Sequence, residues 1–353
     1  MNKPWQDKLR QIDPYVPGEQ SKDPDIIKLN ANENPYAPSP RVQEVLRTFS
    51  AEGLRKYPDA NASHLKQVLA THYGLAPDQV FLGNGSDDVL ALCFQAFFCS
   101  DKPIVFPDLT YSFYPVWCSL FRIPYQTIPL DDQYRIRPAD YAPQNGGVIL
   151  PNPNAPTGIG EGLDFIEQLL AVNPDSIVII DEAYIDFGGQ SAVPLLEKYE
   201  NLVVVQTMSK SRSLAGLRVG FALANPDLIA TLEAVKNSYN SYTMDSVTLE
   251  AAAASVEDDA YFRDTCAQVM RTRERASAEL QALGFSVLPS LTNFLLATHP
   301  QKSAREIFEE LKARKIFVRY FNLPRVDNHL RITIGTDAEM DALMQALREI
   351  LAA

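Results

Sequence analysis

Four apolar runs in the middle of this chain are each followed at once by polar residues, and those polar clusters hold the side chains able to do chemistry. Residues 79–82 lead into Gly83-Asn-Gly-Ser-Asp-Asp88 and then an apolar helical pattern. That is a strand, turn and helix whose first N–H groups could cradle a phosphate. A tight turn with a Ser or Asp helix cap reads the same way. Leu150 opens onto Pro151-Asn-Pro-Asn-Ala-Pro-Thr-Gly158, a rigid loop that presents Asn152 and Asn154. Residues 177–180 end in Asp181-Glu-Ala-Tyr184. This sets a carboxylate where an apolar core meets a crevice, and a charge there needs a partner. The fourth run, residues 202–205, ends in Gln206-Thr-Met-Ser-Lys-Ser-Arg-Ser-Leu-Ala-Gly216, with Arg218 opening the next apolar run. Lys210 alone reads as a solvated surface charge; its interest comes from standing with the other three clusters.

These clusters require elements that bring four strand ends together. In open α/β sheets the ligand crevice lies beyond the carboxyl ends of the strands. From about residue 63 to residue 236, short β-branched runs alternate with amphipathic helical patterns, the signature of a parallel sheet covered by helices. Residues 103–106, 147–150, 176–180 and 202–205 are apolar on both faces, as buried strands are. After about residue 250 the pattern changes to a long helix over 258–283, stopped by Gly284, and then to shorter strands and helices. Ser303 with Glu306, and Thr336 with Glu339, are spaced as capping boxes. The expected class is therefore α/β: a large domain with a mostly parallel sheet covered by helices (36–248), and a smaller α+β domain (249–353). Residues 1–35, rich in Pro, Asn and charge without clear periodicity, read as an arm lying over another surface.

Composition narrows the function. The 353 residues are more than one core usually serves. Lys and Arg number 32 against 44 Asp and Glu, a net charge of −12 that repels a phosphate backbone, so nucleic acid is not the expected partner. An anionic substrate would have to be captured by local arginines or backbone N–H groups. The four cysteines show no C-x-x-C spacing and read as small core hydrophobes, and the four histidines form no close ligand pair; no metal is expected. The start of the chain lacks the apolar segment of a signal peptide, and the run over 89–99 is too short to span a bilayer. The expected location is the cytoplasm, away from membranes. A dinucleotide fold is disfavoured, because the third glycine of its fingerprint would fall at Asp88.

Taken together and in order, N-P-N-A-P-T-G at 152–158, D-E-A-Y at 181–184 and S-K-S-x-S-L-A-G-L-R at 209–218 resemble the pyridoxal-phosphate aminotransferases of fold type I. The likeness covers nearly the whole chain, including Leu29-Asn-Ala-Asn-Glu-Asn-Pro35, Lys56-Tyr-Pro-Asp59 and Leu330-Arg-Ile-Thr-Ile-Gly335. Within that class II subfamily it is most similar to the histidinol-phosphate branch of histidine biosynthesis.

The resemblance implies roles. Pyridoxal 5'-phosphate would be the cofactor and Lys210 the lysine that condenses with its aldehyde and then serves as base, which an arginine could not do. Asp181 would pair with the pyridine nitrogen. Asn154 and Tyr184 would bond the ring's phenolate oxygen, and Tyr111 would stack on the ring face. Gly85, Ser86, Asp87, Thr207, Ser209 and Arg218 would surround the cofactor phosphate, joined by Tyr57 from the neighbouring subunit of a homodimer. Arg319 and Arg331 would hold the phosphate of L-histidinol phosphate and, in the second half-reaction, the carboxylate of 2-oxoglutarate or glutamate. Tyr15 and Asn34 match arm residues that close over substrate. The chain departs from many relatives at Ser211-Arg-Ser213, where Ala-Phe is common. An aromatic amino-acid aminotransferase, a threonine-phosphate decarboxylase and a non-catalytic cofactor-binding regulator are the alternatives to be separated by turnover.

Overall fold

The computed structural model describes residues 3–16, 18–19, 21–142 and 144–352. A short strand, β1 (Ile27–Lys28), lies inside the segment expected to be an irregular arm. It is followed by α1 (Pro40–Thr48) and α2 (Ser63–Tyr73). Then come β2 (Val80–Asn84), α3 (Ser86–Phe97), β3 (Ile104–Pro107), α4 (Phe113–Phe121), β4 (Tyr125–Ile128), β5 (Val148–Pro151), α5 (Leu163–Ala171), β6 (Val178–Asp181), β7 (Leu202–Thr207) and β8 (Val219–Ala224). Strands β2 to β8 form a seven-stranded sheet in the order β2-β8-β7-β6-β5-β3-β4. All its pairs are parallel except those of β8, which runs antiparallel to both β2 and β7.

Every residue of β3, β5, β6, β7 and β8 is buried, which is why these segments read as unbroken apolar runs. One face packs Leu150, Val178, Ile180 and Val204 under α2 and α5; the other packs Ile149, Ile179, Val203 and Val205 under α3 and α4. Each such side chain contributes roughly 1.5–3 kcal/mol on leaving water, so the sheet tolerates the polar residues at its rim.

The remainder of the chain is helix-rich: α6 (Pro226–Asn237), α7 (Ser246–Glu257) and α8 (Asp259–Ala282), then β9 (Ser286–Val287), β10 (Phe294–Thr298), α9 (Ala304–Ala313), β11 (Ile316–Phe317), β12 (Arg319–Tyr320), β13 (Leu330–Thr333) and α10 (Asp337–Ala352). Strands β12-β13-β10-β9 make an antiparallel sheet. Its core, with Leu295, Ile307, Ile332, Met344 and Leu347, is separate from the two layers of the large sheet. Strand β1 pairs in parallel with β11 as a separate two-stranded sheet, so a main-chain ladder ties the N-terminal segment to the C-terminal part of the chain. Helix α7 is an element the sequence pattern did not single out; it packs against α1 and α2. Both capping boxes form, with Ser303 and Glu306 bonding reciprocally and Thr336 and Glu339 doing the same. Cys93, Cys118 and Cys266 are buried as expected of core residues, whereas Cys99 is exposed.

Candidate active site

The crevice lies where β5, β6 and β7 end and β8 begins. Asp181 is the last residue of β6, in register with Pro151 of β5 and Val205 of β7. At the sheet's other side, Asn84 of β2 pairs with Val219 of β8, so Gly85 and Arg218 face each other across the strand ends. Gly85 has φ +88°, and a β-carbon there would stand 2.4 Å from Arg218 Nη2. Only glycine lets the turn and the guanidinium approach this closely. Gly85 caps α3 without a side-chain bond, and the N–H groups of Ser86 and Asp87 meet no acceptor among the described residues. Thr207 Oγ1 and Ser209 Oγ are 3.0 Å apart, and Arg218 Nη1 reaches Ser209 Oγ at 3.4 Å. Two hydroxyls, a guanidinium and an open helix N-terminus thus converge, a donor set suited to an oxyanion. The Asp87 side chain is not one of the donors: its carboxylate accepts from Tyr111 at 2.7 Å and lies 3.4 Å from Arg218, so it orients both.

Deeper in the crevice, Asp181 is 4% exposed. Its oxygens accept from Tyr114 Oη at 2.9 Å and from the Ala183 N–H at 3.2 Å. Burial pushes its pKa up to about 6 against these two bonds, and no cation is paired with it among the described residues. A buried carboxyl in this state is poised to receive a cationic N–H. Lys210 Nζ donates to Ala31 O at 3.2 Å and lies 5.9 Å from the Tyr184 ring centre. Tyr111 meets Tyr114 edge-on at 5.7 Å, and burial raises its phenol well above the ordinary value. Asn154 is buried with Nδ2 on Leu109 O and Thr157 Oγ1, both at 3.1 Å, while its Oδ1 has no partner. Its N–H groups hold the loop closed, so to donate to a ring oxygen Asn154 would have to release Thr157.

Arg319 and Arg331 sit directly opposite one another on β12 and β13. Arg331 donates to Asn30 O at 3.1 Å, its Nε is buried without a partner, and its guanidinium lies 5.3 Å from the Phe294 ring and 5.5 Å from Phe321. Burial and the nearby Arg319 charge push its pKa down. Neither arginine is paired with a carboxylate among the described residues. Two adjacent guanidiniums without a carboxylate partner among the described residues, set against apolar rings, are suited to an anion. Tyr15 stacks on Phe113 at 4.3 Å and stands 6.5 Å from Tyr111, which brings the N-terminal segment over the crevice.

Asn34 is placed differently from the expectation that it closes over substrate. Its Nδ2 donates to Lys210 O and Ser211 O at 3.0 and 3.1 Å, and its Oδ1 accepts from the Tyr36 N–H. Both bonds from Nδ2 go to main-chain carbonyls of the lysine loop, so Asn34 anchors that loop. Tyr57 is 81% exposed, stacked on Tyr242 at 4.6 Å, with no hydrogen bond or ring contact to the crevice among the described residues. Arg212 is buried, donating to Ser255 O at 2.6 Å and lying 3.9 Å from the Phe262 ring; it braces α7 and α8. Two residues were missed by sequence reasoning. Tyr114, in the first turn of α4 and three positions after Tyr111, bonds Asp181. Asn32, within a motif already noted, donates to Tyr184 Oη at 2.9 Å.

The model of the aminotransferase class I and II family matches residues 24–347. Among curated proteins, the chain is 54% identical over 354 residues to a histidinol-phosphate aminotransferase of Dechloromonas aromatica, covering 99% of each. To one of Pseudomonas aeruginosa it is 53% identical, covering 98% of this chain and 99% of the relative. Among solved structures, histidinol-phosphate aminotransferase from Sinorhizobium meliloti in complex with pyridoxal-5'-phosphate superposes with a TM-score of 0.82 at 27% identity, over 92% of this chain and 91% of that one.

Proposed function

The chain belongs to the class I and II aminotransferase family, and from that premise we propose that it transfers the amino group of L-histidinol phosphate to 2-oxoglutarate, giving imidazole acetol phosphate and L-glutamate. The observation that carries the substrate is the facing pair Arg319 and Arg331, two guanidiniums without carboxylate partners. They suit a phosphate in one half-reaction and a carboxylate in the other.

The residues present fit pyridoxal 5'-phosphate. The bare turn at Gly85, the α3 N-terminus, Thr207, Ser209 and Arg218 would hold its phosphate, and Asp181, buried without a cation, would hold its ring nitrogen. Bound there, the cofactor supplies an aldehyde that condenses with amines and a ring that accepts electron density during proton transfer. Lys210 Nζ, bonded to Ala31 O beside Tyr184, would be the base that takes the substrate's Cα proton and carries it through the 1,3-shift across the amine nitrogen. Asp181 keeps a proton on the group it faces, with Tyr114 fixing the carboxylate's orientation. Tyr111 is locked by Asp87 as a flat wall that orients the ring and excludes water. The arm carrying Tyr15 covers the opening.

Tyr57 belongs to this site if a second chain supplies it. Leu54, Tyr57, Tyr239 and Tyr242 are all exposed, and the two stacked tyrosines form an apolar surface suited to a partner subunit. Light scattering is expected to give twice 39.3 kDa. Tyr57→Phe is expected to weaken cofactor binding by roughly tenfold, the loss of one hydrogen bond to a charged group, without changing that mass.

The function is tested by mixing cofactor-loaded protein with L-histidinol phosphate and following the cofactor absorbance to its amino form, then adding 2-oxoglutarate. Conversion and reversal are expected; faster conversion by phenylalanine, or carbon dioxide release from threonine phosphate, would replace the substrate assignment. Arg319→Ala is expected to raise KM for histidinol phosphate by roughly 10- to 100-fold with a smaller effect on kcat, as loss of a charge-assisted bond does. An unchanged KM would place the phosphate elsewhere.

A further inference from the structure

Tyr184 Oη accepts a hydrogen bond from Asn32 Nδ2 at 2.9 Å, and none of the described residues accepts one from the Tyr184 hydroxyl. The orientation of the Asn32 amide is not free. Thr333 Oγ1 accepts from the Asn32 N–H and donates to Asn32 Oδ1, both at 3.0 Å, which leaves Nδ2 as the group facing the phenol. The carbonyl of Asn32 is held in turn by Asn293 Nδ2 at 3.0 Å. The backbone there has φ +54°, a left-handed conformation that Asn tolerates better than most residues. Thr333 of β13 and Asn293, the residue before β10, therefore hold Asn32 in place, and among the described residues the remaining side-chain bond of Asn32 goes to Tyr184.

We propose that Asn32 is a positioning residue that fills the acceptor side of the Tyr184 hydroxyl and so directs its proton into the crevice. A phenol has one proton and can rotate it. With a donor fixed on its oxygen, the proton must point elsewhere, toward whatever oxygen lies in front of it. The inference rests on the proposed function, in which that oxygen is the cofactor's ring phenolate. It also ties the site to the second sheet, because Thr333 belongs to β13 and stands two residues from Arg331.

A donated bond favours the anionic ring oxygen, so it lowers the pH at which the bound cofactor's absorbance changes. The other groups facing Tyr184, namely Lys210, Arg331 and Tyr111, act on the same midpoint and stay constant in the comparison. Asn32→Asp keeps the shape and the acceptor for Thr333 but replaces the donor by an acceptor, which draws the Tyr184 proton back. Its absorbance midpoint is expected to rise by about one pH unit, as is that of Tyr184→Phe. Because a new carboxylate also raises the midpoint by charge alone, the deciding measurement is the double variant Asn32→Asp/Tyr184→Phe. A rise from Asn32→Asp that is clearly smaller in the Tyr184→Phe background than in the wild type, leaving only the charge effect, supports the inference; the same rise in both backgrounds overturns it. Asn32→Gly, which suits the left-handed backbone and adds no charge, is expected to raise the midpoint by less, and no change overturns the inference. If Tyr184→Phe itself leaves the midpoint unmoved, the inference also fails, while wild-type turnover of histidinol phosphate independently decides the proposed function.

Discussion

Replacing Lys210 by alanine is expected to lower steady-state transamination by about four orders of magnitude or more, because one side chain is both the attachment point and the base. Among the described residues its Nζ is hydrogen-bonded only to a backbone carbonyl, Ala31 O, and its loop is held from below by Asn34 through the carbonyls of Lys210 and Ser211. Removing the side chain therefore breaks no ion pair among the described residues and leaves the loop anchored. The melting temperature is expected to stay within a few degrees of wild type. Borohydride treatment of the loaded protein should add cofactor mass to Lys210 in the wild type and none at this position in the variant. Retained turnover would remove Lys210 from its role.

The second large effect is at Asp181. Asp181→Asn is expected to reduce kcat by on the order of 10²–10³, the usual cost of deleting a preorganised charge in a dry site. The same residue makes a separate prediction about stability. Its pKa is raised from 3.8 to about 6 by burial, with Tyr114 and Ala183 opposing and Asp87 adding to the rise. Between these values the folded chain holds a proton that the unfolded chain has lost, so stability of the cofactor-free protein falls as pH rises from about 4 to 6, then levels. The full effect is about 3 kcal/mol for this group. Glu182, raised to about 7 and bonded to Ser191, Ala192 and Gln206, acts in the same direction over a higher window. A cation placed against Asp181 cancels its share. The gain in melting temperature on adding cofactor is therefore expected to be larger at pH 7 than at pH 5, and the difference to shrink in Asp181→Asn. An unchanged difference in that variant would show that Asp181 does not face the cofactor's cationic nitrogen.

Much of this site was legible because its parts are local in the chain. Apolar runs such as residues 176–180 can be read as buried strands from composition alone, and the polar residues after them are then at strand ends without any knowledge of the fold. The turn at Gly85 was ambiguous between phosphate cradle and helix cap. The structure supports the cradle reading by bringing up Gly220 of β8, whose β-carbon would stand 2.3 Å from Ser86 N, and Arg218 beside it. Those residues lie more than 130 positions away in the chain, and nothing local announces the contact. Asn34 shows the opposite outcome: a polar residue in a known motif reads as a ligand group until the structure shows its amide bonded to Lys210 and Ser211.

Sequence by itself determined the class of fold and the sheet that carries the crevice, because hydrophobic period is set by near neighbours, while the roles proposed for Lys210, Asp181 and Arg218 come from the family resemblance. Only the tertiary structure decided which groups are free to act. The pairing of Arg319 with Arg331, the bond from Tyr114 to Asp181 and the bond from Asn32 to Tyr184 depend on strand register and packing between distant segments. A hydrogen bond is made or missed within a few tenths of an ångström. No local pattern specifies position that finely; the close packing of the two cores does.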